Sequence, residues 1–253
     1  MRFGLRAMLV TCLLLMAFPM FASTTAYFND LSGFNTAAGS PPVSLDFDSI
    51  AAGTDISGTT INGVTFTQLG SPLIVVKGSD TFTPGPDFGL SNPNPYSLHP
   101  TSGDNVLSPG GTKLGAGPDP ATQLDSMELT FSSPVSAFGF DLIYQSNDGA
   151  SFVGIQVFDS NNNSVYNNGF IPSSGAGPGL SDFWGFVVDP GDAGISKIVI
   201  SEFDENNANP DSNIGFDTFR YGAATGVPEP SSLMMLGSGL LAAIGGLRRA
   251  RRS

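Results

Sequence analysis

An all-β body, built as an antiparallel two-sheet sandwich of jelly-roll type, is the fold the sequence predicts for residues 27–221, and three observations predict it. Short runs rich in Val, Ile, Phe and Thr recur, clusters of Gly, Pro, Asn, Asp and Ser separate them, and no long stretch keeps a helical period. Strands are expected near Val43–Asp48, Gly63–Leu69, Leu73–Lys77, Leu124–Phe131, Ala137–Tyr144, Phe152–Asp159, Phe183–Val188, Ile195–Phe203 and Ile214–Tyr221. Alternation is clean in several of them. Met127, Leu129 and Phe131 fall on one face of their strand, Glu128 and Thr130 on the other. Asp159–Asn163 and Asp189–Gly194 each separate two strand-like runs, as turns do. The stretch 78–121 is dense in Pro, Gly, Asp and Ser and is expected to hold little regular structure. Helix–strand alternation is missing, which argues against a parallel sheet, and no internal repeat suggests a propeller or solenoid.

The N-terminal 26 residues read as a secretory signal peptide. Arg2 and Arg6 form a positive start, an apolar run follows from Ala7 to Phe21, and Ala22, Ser23 and Ala26 offer small residues at which to cut. This signal helix is too short for a comfortable membrane span. The chain's one cysteine, Cys12, lies inside the apolar run and leaves with it. A mature protein without a thiol has no disulfide, no thiolate metal site and no cysteine nucleophile.

Charge narrows the partners. The body carries Lys77, Lys113, Lys197 and Arg220 against 21 of the 22 acidic residues, a formal charge of −17. Such a surface repels phosphate backbones and anionic lipid, so nucleic acid is not an expected partner. Calcium or neutral sugars suit it better.

Composition changes abruptly after Tyr221. Residues 222–230 form a small-residue linker ending in Pro228-Glu229-Pro230. Residues 231–253 form an uncharged, mostly apolar stretch, Ser231–Leu247, closed by Arg248, Arg249, Arg251 and Arg252. Seventeen residues of helix reach about 26 Å, the short end of a bilayer span, and the arginines would stay on the cytoplasmic side. With a cleaved N-terminal signal, that places the acidic body outside the inner membrane. This order of parts resembles the PEP-CTERM sorting signal of Gram-negative bacteria. The resemblance implies a membrane-anchored precursor, an exosortase-type protease that recognises Pro228-Glu229-Pro230 and processes the protein, and delivery to the cell surface or extracellular matrix. Phe183–Val188, Ile198–Ile200 and Ile214–Asp217 are also similar to the ends of other PEP-CTERM body domains.

Within the body, two acidic clusters are candidates for a structural Ca²⁺ site. Asp46 and Asp48 share a face of an early strand, while Glu202 and Asp204 begin an acidic loop that leads to Asp217. If the early and last strands pair, Asp46 or Asp48 comes near Asp217. Calcium takes six to eight oxygen ligands, and carboxylates are its usual suppliers. Trp184, Tyr96, Tyr144 and Tyr166 are candidates for stacking on sugar rings, although the apolar neighbours of Trp184 also suit a packed sheet residue.

Catalysis is not expected. The sole histidine, His99, stands before a proline, with no Gly-x-Ser-x-Gly elbow and no His-Glu-x-x-His motif elsewhere. Glu202-Phe203-Asp204 resembles the start of the Glu-x-Asp-x-x-Glu motif of laminarinase-like hydrolases, but the third acidic position holds Asn207. The sequence thus points to a structural or adhesive surface protein that binds matrix polysaccharide. An inert matrix component is the second reading, and an extracellular glycoside hydrolase the third.

Overall fold

The computed structural model describes residues 24–39, 42–79, 98–109, 126–144, 152–172, 180–189, 191–203 and 214–223. The expected signal peptide, residues 1–26, lies outside them except at Thr24–Ala26. The sorting motif, the C-terminal apolar segment and the arginine cluster also lie outside. Among the described residues no helix is long and apolar enough to cross a membrane.

Twelve strands and one helix make up the described chain: β1 (Thr24–Phe28), α1 (Leu31–Ala38), β2 (Val43–Leu45), β3 (Thr60–Ile61), β4 (Val64–Gln68), β5 (Leu73–Lys77), β6 (Asn105–Pro109), β7 (Met127–Tyr144), β8 (Phe152–Asp159), β9 (Ser164–Pro172), β10 (Leu180–Val188), β11 (Ile195–Phe203) and β12 (Ile214–Ala223). Every pairing is antiparallel.

The strands form one hydrogen-bonded ladder rather than two separate sheets, and β7 is the reason. The sequence predicts two strands here with a break at Ser132-Ser133-Pro134; the structure runs a single 18-residue strand through it. The first part of β7, Met127–Phe131, pairs with β4 and β11. Its last part, Ala137–Tyr144, pairs with β10 and β12. The register on β11 shifts between Ile195 and Lys197, opposite the middle of β7. A proline inside a strand is tolerated at such irregularities, where its missing N–H costs no ladder bond.

The two parts of the ladder share one core. Val64, Phe66, Met127, Leu129, Ile155 and Ile198 from one part meet Phe138, Phe140, Phe186, Phe216 and Phe219 from the other in a single buried cluster. The rings interlock: Phe66 meets Phe219 edge-on at 5.8 Å, and Tyr166 lies 4.9 Å from Phe186. Edge-to-face packing of this kind adds roughly 0.5–1.5 kcal/mol per pair beyond area burial. The expected alternation in Met127–Phe131 holds, with Glu128 on the outward face 3.7 Å from Lys197.

The other face of the β10–β7–β12 part is covered at two places. Helix α1 seats Phe34 and Ala38 on Ala137 and Phe183. Phe34 fits there because position 185 is glycine; a Cβ on Gly185 would meet its ring at 2.5 Å. Further along, Leu98 packs with Val76, Val106 and Ile143. Arg220 lies over the Phe183 ring at 5.5 Å. Leu98 opens the segment 98–105, which frames the candidate site.

Candidate functional site: the Asp48 and Asp217 clamp and its cleft

Segment 98–105 is held from two sides by carboxylates. On β12 the ladder with β7 shifts register between Asp217 and Arg220, and Thr218 sits at φ 43°. A left-handed conformation strains a β-branched residue by roughly 1–3 kcal/mol and persists only where its surroundings fix it. Here they do. The bulge buries Asp217 completely, with Oδ2 accepting the backbone N–H groups of Thr101 (2.8 Å) and Ser102 (2.7 Å). Its Oδ1 accepts the N–H of Thr218 at 2.6 Å and the Ser102 hydroxyl at 3.0 Å. The Thr218 hydroxyl in turn donates to Ser102 Oγ at 2.9 Å.

Beside it, Arg220 donates both guanidinium N–H groups to Asp141, each at 2.9 Å, and Thr101 Oγ1 donates to Asp141 Oδ2 at 2.6 Å. A two-pronged pair of this sort is geometrically specific, because only a guanidinium offers a planar fork.

From the other side, Asp48 Oδ1 accepts the N–H groups of Asp104 (2.6 Å) and Asn105 (3.0 Å). The Asn105 amide donates to the carbonyls of Phe47 (3.2 Å) and Ile50 (2.9 Å). Gly103, between the two clamps, sits at φ 46°, and a Cβ there would lie 1.7 Å from Asp48 Oδ2. No other residue fits this point. Together Asp48–Ala52, Lys77 and Gly103–Asn105 line an open cleft of about 680 Å³, with Lys77 and Asp104 exposed at its rim and Ile50, Ala51 and Ala52 giving an apolar stretch.

The expectation that an early acidic strand comes near Asp217 corresponds to a real pairing: β2 runs antiparallel to β12 with Leu45 opposite Phe219. Asp48 and Asp217 both reach segment 101–105, each through hydrogen bonds to its backbone. Asp46 accepts the Asp48 N–H at 3.3 Å and so shapes the turn. Glu202 lies on β11 opposite Val153, in another part of the ladder, and Asp204 lies outside the described residues. Among the described residues no three His, Cys, Asp or Glu side chains group to hold a metal ion. Asp217, with donors on both oxygens, does not fit the role of a cation ligand.

The candidate sugar-stacking aromatics are placed differently from one another. Trp184 is only 6% exposed, belongs to the core and has the Phe28 ring against it, centroids 4.4 Å apart and tilted by 46°. Its face is therefore taken. Tyr166 is half-buried against Phe186. Tyr144 ends β7 between Leu180 and Ile214, and Tyr96 lies outside the described residues. His99 is exposed. Sequence reasoning missed Thr101, Ser102, Gly103 and Asn105; the Thr-Ser-Gly-Asp-Asn cluster before an apolar Val-Leu pair is the signal that marks them as a turn entering a strand.

The family model for the PEP-CTERM protein-sorting motif matches residues 226–252, which include Pro228-Glu229-Pro230 and all four C-terminal arginines. The chain carries a PEP-CTERM sorting signal. A PEP-CTERM protein is exported through a membrane-anchored precursor that an exosortase processes for surface localisation. In this chain only Ala224 and Thr225 separate the end of β12 from the matched segment.

No curated protein matches the chain in sequence. Among solved structures, it is similar to the K2 cleaved adhesin domain of Lys-gingipain, with a TM-score of 0.40 and 10% identity over 71% of this chain and 98% of that one. It is also similar to a variant of the family 29 carbohydrate-binding module CBM29-2, with a TM-score of 0.31 and 12% identity over 76% and 96% of the two chains. A third similarity is to the enzymatically active domain of bacteriophage CBA120 tailspike protein 4, at a TM-score of 0.28 and 20% identity, covering 68% of this chain and 21% of that one. Likeness at this level does not extend to function.

Proposed function

We propose that this exported PEP-CTERM protein is an adhesive module of the extracellular matrix, a two-layer sandwich of jelly-roll type that binds polysaccharide in the Asp48–Asp104 cleft. The observation that carries this reading is the cleft itself. Its wall is fixed in advance by the two carboxylate clamps, so little ordering cost falls on binding. Its lining combines exposed Lys77 and Asp104 with an apolar strip, the mixture that sugar hydroxyls and the C–H face of a pyranose ring require. The −17 charge of the body favours neutral or cationic glycans over anionic ones.

The second reading, an inert matrix component, is favoured by a specific feature: among the described residues no aromatic side chain lines the cleft. Both readings keep exosortase as the processing partner and the inner membrane as a station before it. A glycan array of the exported protein, run with calcium and with chelator, separates them. Selective binding lost in a Lys77→Ala, Asp104→Ala variant supports the adhesive module. Binding lost only with chelator supports a calcium site near Glu202 and Asp204, and no binding at all leaves the inert component.

A further inference from the structure

We propose that the N-terminal leader is released at or before the Ser23–Thr24 bond, so that the exported protein keeps every residue of β1. This rests on reading residues 1–26 as containing a leader. The sequence offers cuts after Ala22, Ser23 and Ala26, and Ala26 has small Thr24 two places before it, the spacing of an Ala-x-Ala site. The fold argues against Ala26.

β10 carries Phe183-Trp-Gly-Phe-Val-Val188, an uncharged, strand-prone run without proline. One of its edges pairs with β7, and among the described residues only β1 pairs with the other. The register runs from Thr24 opposite Val188 to Phe28 opposite Trp184. A cut after Ala26 removes the partners of Val188, Val187 and Phe186 and bares that backbone edge. Bare edges of this composition template pairing with other chains. Among the described residues β1 ends the ladder, and it is short; short edge strands recruit partners poorly.

β1 is also anchored where it leaves β10. The Asn29 side chain donates to Asp182 Oδ1 at 2.7 Å and accepts the Phe183 N–H at 2.9 Å, while the Asn29 N–H donates to the Phe183 carbonyl at 2.9 Å. Phe28 packs on Trp184 and Tyr27 on Phe34. From this fixed point the strand runs back along β10, and a cut after Ala26 would set a charged amino group opposite Gly185, in the middle of the ladder.

The test is N-terminal sequencing and intact mass of the full chain exported by a bacterial host. A first residue of Ser23 or Thr24, or one between them and the apolar run's start, is expected. A first residue of Thr25 or later overturns the proposal. An uncut Met1 overturns the leader reading itself, so the two failures are distinct. Deleting Thr24–Ala26 from the full chain is then expected to lower the melting temperature by a few degrees and to raise the scattered-light size of the exported protein. If neither moves, β1 does not guard the edge.

Discussion

Asp217 shows how one side chain can set a site without touching a ligand. Its carboxylate is fully buried and faces three backbone N–H groups and the hydroxyls of Thr101 and Ser102. Replacing it by Asn puts an NH₂ group against donors and leaves at least one buried N–H unmet. Asp217→Asn is expected to cost about 1–3 kcal/mol of stability, read as a lower urea midpoint, with the loss centred on segment 98–105 in hydrogen exchange. A variant that unfolds at the unchanged midpoint would show that the clamp is not needed to hold the segment. The type of residue was legible in the sequence, since Asp217 stood out as a candidate. Its role was not, because the donors come from a segment more than a hundred positions away.

Among the elements, legibility followed the pattern of burial. Strands with one wet face, such as β4, β8 and β11, alternate and were expected within a residue or two. β6 was missed because all five of its residues are buried, Leu107 in the main core and Val106 in the cluster around Leu98, so no period of two appears. α1 was missed because eight residues show barely two turns; its marks are the Asp30 cap, which accepts the Gly33 N–H at 2.8 Å, and Gly39 at φ 74°. The β3–β4 hairpin was legible in principle, since Asn62 and Gly63 both take positive φ, the signature of a two-residue turn.

The β8–β9 hairpin makes a separate prediction. Asp159, 2% exposed, accepts the N–H groups of Asn161 and Asn163, each at 2.8 Å, and the Asn163 amide at 3.0 Å. Burial pushes its carboxyl up, but the hydrogen bonds from Asn163 and Asn161 outweigh it and hold the group below its ordinary value. A folded-state pKa below the unfolded one contributes stability above the unfolded value and loses it as pH falls through the folded one. The acid limb of a urea-midpoint profile, below about pH 4, is therefore expected to flatten in Asp159→Asn. An identical limb would mean that other carboxylates govern acid unfolding.

The whole molecule carries a body charge of −17, concentrated on a chain whose cations are mostly in its tails. Self-repulsion on this scale loosens a compact state and is screened by salt. Raising ionic strength from about 0.01 to 1 M, which shortens the screening length from roughly 30 to 3 Å, is expected to raise the melting temperature. A flat response would show the charges already spread beyond each other's reach.

At this scale the position of β12 has a mechanical consequence. β12 is flanked by β7 along one edge and by β6 and β2 along the other, and the chain leaves it at Ala223 towards the sorting tail. A tug on that tether pulls along the strand axis, loading the flanking rungs together in shear instead of peeling them off in turn. The wall of the cleft hangs on the same strand through Asp217. Tension between that wall and Ala223 would run through one central rod, leaving the outer strands slack.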